Sequence, residues 1–550
     1  MLKKITILAT TDVHSNIWGY NYENNEEMPQ CGMASLYTYI NEVRKKNPNT
    51  ILVDNGDILQ GTLLTDDLYN RGWEKEHPLA NVMNYMGYDA MNLGNHEFNF
   101  DLQILKNFER ELEFPAISAN TVYKLSGKEF VKPYTIVEKG GVSIGIIGVT
   151  TPMVPQWVGS KVENLKFLPL VETVIKYIDE IKEKSDIIIL LAHCSLDGEI
   201  NPCEDAARNI VEACQEVDVL VVGHFHITVK DKINKTIIGG ATDKGREIIH
   251  FDLYLNKENN VVNKEVKIVD MKNFEPSNEI RELPIVKKAH NETINLAHGE
   301  VLGKALRDFQ PSNEINWIPQ GRLEETPVIQ LINRVQLLNS GAEVSATSLI
   351  RENCNIPMGN ITYGTICGIY KFDTKLYVVE VTGEQLKEYM EWTASAYNQL
   401  KEGDVSISFS TDIPGYQHDF FSGVTFNIDL KQPIGKRIID LKLKGELVKK
   451  GQIIKLAVSD YCYYTTLKGR GFTKAEPIWK SKRLVKEMLI DYIKKVKNIN
   501  PELDGNWKLL GMNFDEDIRS ELISKVNKGI LDIPYNKSLN VLELKESGII

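Results

Sequence analysis

The chain has 550 residues, 64 Lys and Arg against 75 Asp and Glu, a formal net charge of −11, 42% hydrophobic residues and seven cysteines. At roughly 150 residues per domain this length predicts two to four domains with sizeable cores, which rules out a disulfide-stapled miniprotein; the ordinary composition rules out a disordered chain. The acidic balance argues against a partner as long as DNA or RNA, because counterion release needs an excess of Lys and Arg.

The opening stretch, MLKKITILATTDVHSN, has an apolar core shorter than the roughly 7–15 residues of a secretory signal. No run approaches the roughly 20 apolar residues of a membrane helix. The cysteines, at 31, 194, 203, 214, 354, 367 and 462, are odd in number and form no CxxC pair, which suits reduced thiols. A cytoplasmic protein with no membrane partner is expected, or an exported one if a leader has been trimmed.

Over the first 270 or so residues one pattern repeats. Short β-branched runs (Ile5–Ala9, Thr50–Val53, Ala90–Leu93, Ile144–Val149, Ile187–Ala192 and Val217–Val222) end abruptly in polar residues and are followed by stretches of helical spacing such as Val171–Ile181. Several runs are apolar at consecutive positions, the mark of strands buried on both faces. An α/β sheet flanked by helices is predicted over 1–271. A charged segment, 272–298, has helix-like apolar spacing and reads as a linker helix. An α+β domain is predicted over 299–512, with strands Lys375–Val381 and Ile453–Val458 and helices Gly383–Ala394 and Lys480–Lys497. A helical extension, 513–550, follows, with a helix over Asp515–Lys528 and a tail of uncertain order.

In α/β sheets the loops at the strand carboxyl ends form the ligand site. Those ends read Asp12-Val-His14, Gly56-Asp57, Gly94-Asn95-His96-Glu97, His193 and Gly223-His224-Phe225-His226; five of the chain's ten histidines stand there. Imidazole and carboxylate suit Zn, Mn, Fe or Co ions, and the absence of thiolates from these positions argues against a structural zinc site. Two ions about 3.5–4 Å apart need a bridging carboxylate, for which Asp57 is the natural choice.

This succession resembles the calcineurin-like metallophosphoesterase family, and Asp54-Asn-Gly-Asp-Ile-Leu-Gln-Gly-Thr62 with Gly94-Asn-His-Glu-Phe-Asn99 resembles its 5′-nucleotidase superfamily. The branch of 2′,3′-cyclic-nucleotide 2′-phosphodiesterase/3′-nucleotidases is closer still. Downstream, the stretches 369–387 and 421–429 resemble the nucleotide-binding carboxy-terminal domain of that branch. The resemblance implies a four-layer αββα catalytic sandwich followed by that α+β domain. It implies one divalent ion on Asp12, His14, Asp57 and His226 and a second on Asp57, Asn95, His193 and His224. A hydroxide between them would attack phosphorus in line, and His96 would stabilise phosphoryl oxygens or protonate the leaving group. A nucleobase would stack between Phe372 and Tyr461.

The implied activity is hydrolysis of 2′,3′-cyclic nucleotides and/or nucleoside monophosphates. The alternatives are a 5′-nucleotidase or nucleotide-sugar hydrolase and, outside the enzymes, a nucleotide-binding protein without turnover. Asn99 stands where the 5′-nucleotidases proper carry Asp, which favours the cyclic phosphodiesterase branch. Thr374 replaces a usual Asn, and the segment after Tyr461 is poorer in glycine than is usual, so sugar and base contacts are expected to differ.

Overall fold

The computed structural model describes the whole chain except residues 1, 71, 74, 75, 199–205, 350, 352, 353, 513 and 550. The chain divides into two compact units, Met1–Asn295 and Leu296–Ile550.

In the first unit the apolar runs become two six-stranded sheets. The strand Lys3–Thr10 pairs in parallel with Thr50–Asp54, which continues to Ala90–Asn92 and Ala116–Ile117, while Glu247–Leu255 and Val261–Asp270 close the other side antiparallel. The second sheet has Val142–Thr150, Ile187–His193, Val219–Val222 and Thr236–Gly240 in parallel, with antiparallel edges. Successive side chains on a strand face opposite ways, so each run serves two cores. Ile5, Ile7, Ile51 and Val53 meet Ile144, Ile146, Ile189 and Leu191 in one buried cluster between the sheets. Leu8, Leu52 and Met91 face the helices Met33–Lys46 and Pro78–Met86. Ile147, Ile188 and Leu190 face Leu170–Ile181. This is the expected helix-sheet-sheet-helix sandwich, and it explains why the runs lack alternation. Val217 and Asp218 precede the observed strand Val219–Val222, a small shortening at its start.

The charged segment after 271 is not one helix: a single 3-10 turn (Met271–Asn273) and a short helix (Asn278–Arg281) precede Pro284–His298, because Pro284 has no N–H to continue a preceding helix.

The second unit is α+β. Its five-stranded sheet runs Asp419–Ser422, Val344–Ser348, Ile453–Ser459, Lys375–Thr382, Trp479–Leu484, accompanied by a four-stranded and a three-stranded sheet. The helix Gly383–Ala394 occurs as expected, started by a capping box in which Thr382 and Gln385 satisfy each other's backbone N–H groups. The helix expected over Lys480–Lys497 instead begins at Val485, since Trp479–Leu484 is an edge strand and the Glu487 carboxylate accepts the Leu484 N–H at 3.0 Å. Exposed Lys480 and Lys482 alternate with buried Ser481 on that edge, a charged pattern that discourages pairing with another chain.

The carboxy-terminal extension carries helices Glu516–Asn527 and Val541–Glu546. Leu522, Ile523, Val526, Leu531, Ile533, Leu539 and Val541 belong to the same buried cluster as Val344, Val379 and Leu456. Backbone bonds tie it in, Val405 N–H donating to the Leu539 carbonyl at 2.8 Å. Among the cysteines, Cys31, Cys214 and Cys462 are buried free thiols; Cys203 lies outside the described residues. Among the described residues no helix is long and apolar enough to cross a membrane.

Candidate metal centre

Five loops at the strand carboxyl ends converge, as sheet topology requires. The loop after Lys3–Thr10 zips onto the loop after Thr50–Asp54: Asp12, His14 and Ser15 donate their N–H groups to the carbonyls of Gly56, Asp57 and Ile58 at 3.0, 2.9 and 2.9 Å. This zipper requires unusual backbone. Asp12, His14, Asp57, His224 and His226 all have left-handed φ, between 49° and 74°, a region disfavoured for residues with a Cβ and typical of functional sites that hold strain. Gly94 is also required, because a Cβ there would sit 2.2 Å from Asp57 Oδ1 and 2.8 Å from His193 Cε1.

The side chains gather in two groups whose ligand atoms lie within 4.8 Å of one another: Asp12, His14 and His226, and Asp57, His193 and His224. In the first, His14 Nδ1 bonds the Gln60 carbonyl at 2.8 Å, so Nδ1 carries the proton and Nε2 is left facing His226 Nε2 at 3.0 Å and not a donor of its own. Burial depresses His14 to about 3, so its Nε2 presents a lone pair. His226 Nε2 is 3.4 Å from Asp12 Oδ1. In the second group His193 Nδ1 bonds the Asn55 carbonyl at 2.8 Å, and its Nε2 points between Asn95 Oδ1 and Asp57 Oδ2, each 3.1 Å away. Asp57 Oδ2 is fully buried yet accepts no hydrogen bond of good geometry.

The electrostatics agree. Burial would raise the Asp12 carboxyl, but the His193 and His226 rings outweigh it and hold it down at about 2. Burial would likewise raise Asp57, which His193 and His96 keep well below the usual carboxylate range. Burial opposes a charge on His193, yet Asp57 and Asp12 lift it to about 10. The cluster therefore requires positive charge at its centre, supplied by a proton or by a cation. Imidazole nitrogens fixed by backbone carbonyls, converging with carboxylate and amide oxygens, suit borderline divalent ions, and no thiolate takes part.

His96 lies beside the groups, its Nε2 3.9 Å from Asp57 Oδ2. The Asn99 amide donates to its Nδ1 at 2.8 Å, which leaves the ring proton on Nε2. Two neighbours escaped sequence reasoning. Trp157 places its ring 5.2 Å from that of His224, with nothing in its local sequence to mark it. Glu97 is buried beneath Asp57; burial, with Asp57 adding to it, pushes its carboxyl up to about 7 against the pull of backbone donors. Its place in Gly-Asn-His-Glu was the available signal.

In the second unit, Phe372 precedes Lys375–Thr382 and Tyr461 follows Ile453–Ser459. These strands are antiparallel with Leu376 opposite Ser459, so both aromatics leave the same end of the sheet. Phe372 is 45% exposed, and Tyr461 is half-buried, its hydroxyl raised by burial and engaged by Gln417. Thr374 bonds the Tyr370 hydroxyl at 2.8 Å, and Lys486 pairs with Asp373 at 2.8 Å, anchoring the segment that presents Phe372. After Tyr461 the chain forms a π-helix, Tyr463–Lys468, a form seen often at functional sites.

A double-sheet sandwich with histidine, carboxylate and amide groups converging at its strand ends defines a metallophosphoesterase. The calcineurin-like phosphoesterase family matches residues 5–228 and the 5′-nucleotidase C-terminal domain matches 310–475. The chain belongs to the calcineurin-like phosphoesterases that carry a 5′-nucleotidase C-terminal domain. It is 28% identical to the trifunctional nucleotide phosphoesterase protein YfkN of Bacillus subtilis over 92% of its own length and 39% of that relative, about two fifths of which it therefore spans. It is 25% identical to the 2′,3′-cyclic-nucleotide 2′-phosphodiesterase/3′-nucleotidase of Haemophilus influenzae, covering 94% of this chain and 89% of the relative. The crystal structure of a 5′-nucleotidase precursor from Thermus thermophilus shares the fold, with a TM-score of 0.66 at 20% identity over 92% of this chain and all of that one.

Proposed function

We propose that this chain is a dimetal nucleotide phosphoesterase that hydrolyses 2′,3′-cyclic nucleotides and/or nucleoside monophosphates. The observation that carries this reading is the convergence of His14, His193, His226, Asp12 and Asp57 in two groups, with the His14 and His193 rings each fixed at Nδ1 by a backbone carbonyl. In the proposed assignment Asp12, His14, Asp57 and His226 hold one divalent ion, and Asp57, Asn95, His193 and His224 hold the other. Such a pair of ions supplies Lewis acidity and lowers the pKa of water. Asp57, common to both sets, would be the carboxylate the two ions share.

His96 presents its Nε2 proton to the phosphoryl or leaving-group oxygen, oriented by Asn99. The Asn at 99, together with the named H. influenzae relative, supports the cyclic phosphodiesterase/3′-nucleotidase reading over a 5′-nucleotidase. Phe372 and Tyr461 offer π faces to a base, a mode of binding that tolerates any base. The division of labour follows the domains: phosphorus chemistry in 1–271, joined by 272–298 to base recognition in 299–512, with 513–550 completing that domain's core. Buried free thiols support a reducing, cytoplasmic setting.

The test is a panel of 2′,3′-cyclic, 3′- and 5′-nucleotides assayed before and after chelation. Cyclic and 3′-substrates are expected to be hydrolysed, with activity lost to chelator and restored by Mn²⁺. Turnover that survives chelation sinks the dimetal reading; exclusive 5′-hydrolysis sinks the branch assignment.

A further inference from the structure

We infer that Glu97 is a positioning residue that holds Asp57 in its metal-bridging pose, an inference that rests on the dimetal reading above. Glu97 is 1% exposed. Its Oε2 accepts the N–H groups of Asp57 and Gly94, both at 2.7 Å, and its Oε1 accepts those of Ile58 at 2.7 Å and Leu59 at 3.0 Å. A carboxylate offers about four lone-pair sites, and here all are filled by backbone.

The arrangement is reciprocal. While Glu97 takes the N–H of Asp57, Asp57 Oδ1 takes the N–H of His96 at 2.8 Å. Each acidic side chain thus fixes the other's loop, and only Asp57 Oδ2 is left without a hydrogen bond, beside His193. The left-handed φ of 59° at Asp57 is the conformation that points the N–H groups of residues 57, 58 and 59 at one anion. Packing leaves no slack, since a Cβ at Gly56 would lie 2.3 Å from the Gly94 nitrogen. Glutamine at 97 would turn an NH₂ toward two N–H donors, pushing the loops apart and swinging Asp57 away from the shared position. Aspartate would keep the charge but fall one methylene short.

The experiment compares wild-type protein, Glu97→Gln and Glu97→Asp, all stripped of metal and titrated with Mn²⁺ by calorimetry and electron paramagnetic resonance. Wild-type protein is expected to take up two ions with an exchange-coupled spectrum, since coupling reports the bridging carboxylate. Glu97→Gln, folded by circular dichroism, is expected to bind its second ion at least about tenfold more weakly and to lose the coupling; Glu97→Asp falls between. A folded Glu97→Gln with wild-type affinities and coupling overturns the inference. If Glu97→Gln does not fold, Glu97→Asp decides, its coupling diminished if the inference holds and unchanged if it does not. Wild-type protein that binds no pair of ions overturns the dimetal reading itself, and the inference with it.

Discussion

The two candidate sites are built on opposite plans. Around Asp57, backbone is locked to backbone and to buried carboxylates, and five of the proposed ligands are held at left-handed φ. Around Phe372 and Tyr461, one ring is half-exposed and the other precedes a π-helix that exposes Tyr464 and Lys468 at its surface. Chemistry at phosphorus needs groups held within a fraction of an ångström, whereas a stacking platform gains affinity from area and tolerates adjustment. On the proposed assignment, the contrast predicts that substitutions act on turnover in the first unit and on substrate affinity in the second.

The most direct way to break that contrast is at His96. His96→Ala should lower kcat by about 10²–10⁴-fold, the usual worth of a positioned acid, with KM little changed; steady-state kinetics on a cyclic nucleotide check it. Phe372→Ala and Tyr461→Ala should each raise KM by roughly 5- to 150-fold, corresponding to about 1–3 kcal/mol of stacking, with hydrolysis of a base-free aryl phosphodiester unaffected. A base-free substrate that suffers equally would place these aromatics outside base recognition.

A smaller effect sharpens the first site. Asn99→Asp puts a carboxylate beside His96 Nδ1, which favours the imidazolium, so the alkaline limb of the pH–rate profile should move upward by roughly one unit. An unmoved limb would mean that His96 does not supply the proton. The smallest effect lies in the second unit. Burial raises Asp419, bonded to the Tyr389 hydroxyl at 2.7 Å, from 3.8 to about 7. The folded state therefore binds this proton more tightly than the unfolded state between these values. Its contribution to stability falls as pH rises through that window and levels off above it. Asp419→Asn, which can still accept from Tyr389, should flatten the difference in thermal midpoint between about pH 4.5 and about pH 7.5.

The sandwich was legible because strands buried on both faces must be apolar at consecutive positions, as at Ile187–Ala192. The convergence of the histidines and carboxylates was legible because strand-end loops gather at one edge of an α/β sheet, and Asp-x-His or His-x-His survives as a local pattern. The left-handed backbone of Asp12 and His226 was not legible, for a side chain with a Cβ gives no sign that tertiary bonds force it there. Glu97 was hidden for a related reason, its partners being N–H groups that every residue possesses. Lys480–Lys497 misled because its first residues have mixed spacing, and pairing with Lys375–Thr382 decided for strand. The tail beyond Lys528 lacks strong periodicity and is ordered by contacts such as Tyr535 stacking on Phe409 at 5.0 Å.

That last contact bears on how the chain comes to be folded. Translation proceeds from the amino terminus, and the cores of the first unit use nothing beyond Val286, so they can close while later segments are still in the ribosome. The second unit's buried cluster runs from Leu302 to Val541. The unit's last strand, Trp507–Leu510, is itself made only shortly before the carboxy-terminal extension, so this core closes late, once Leu522 to Val541 have been added.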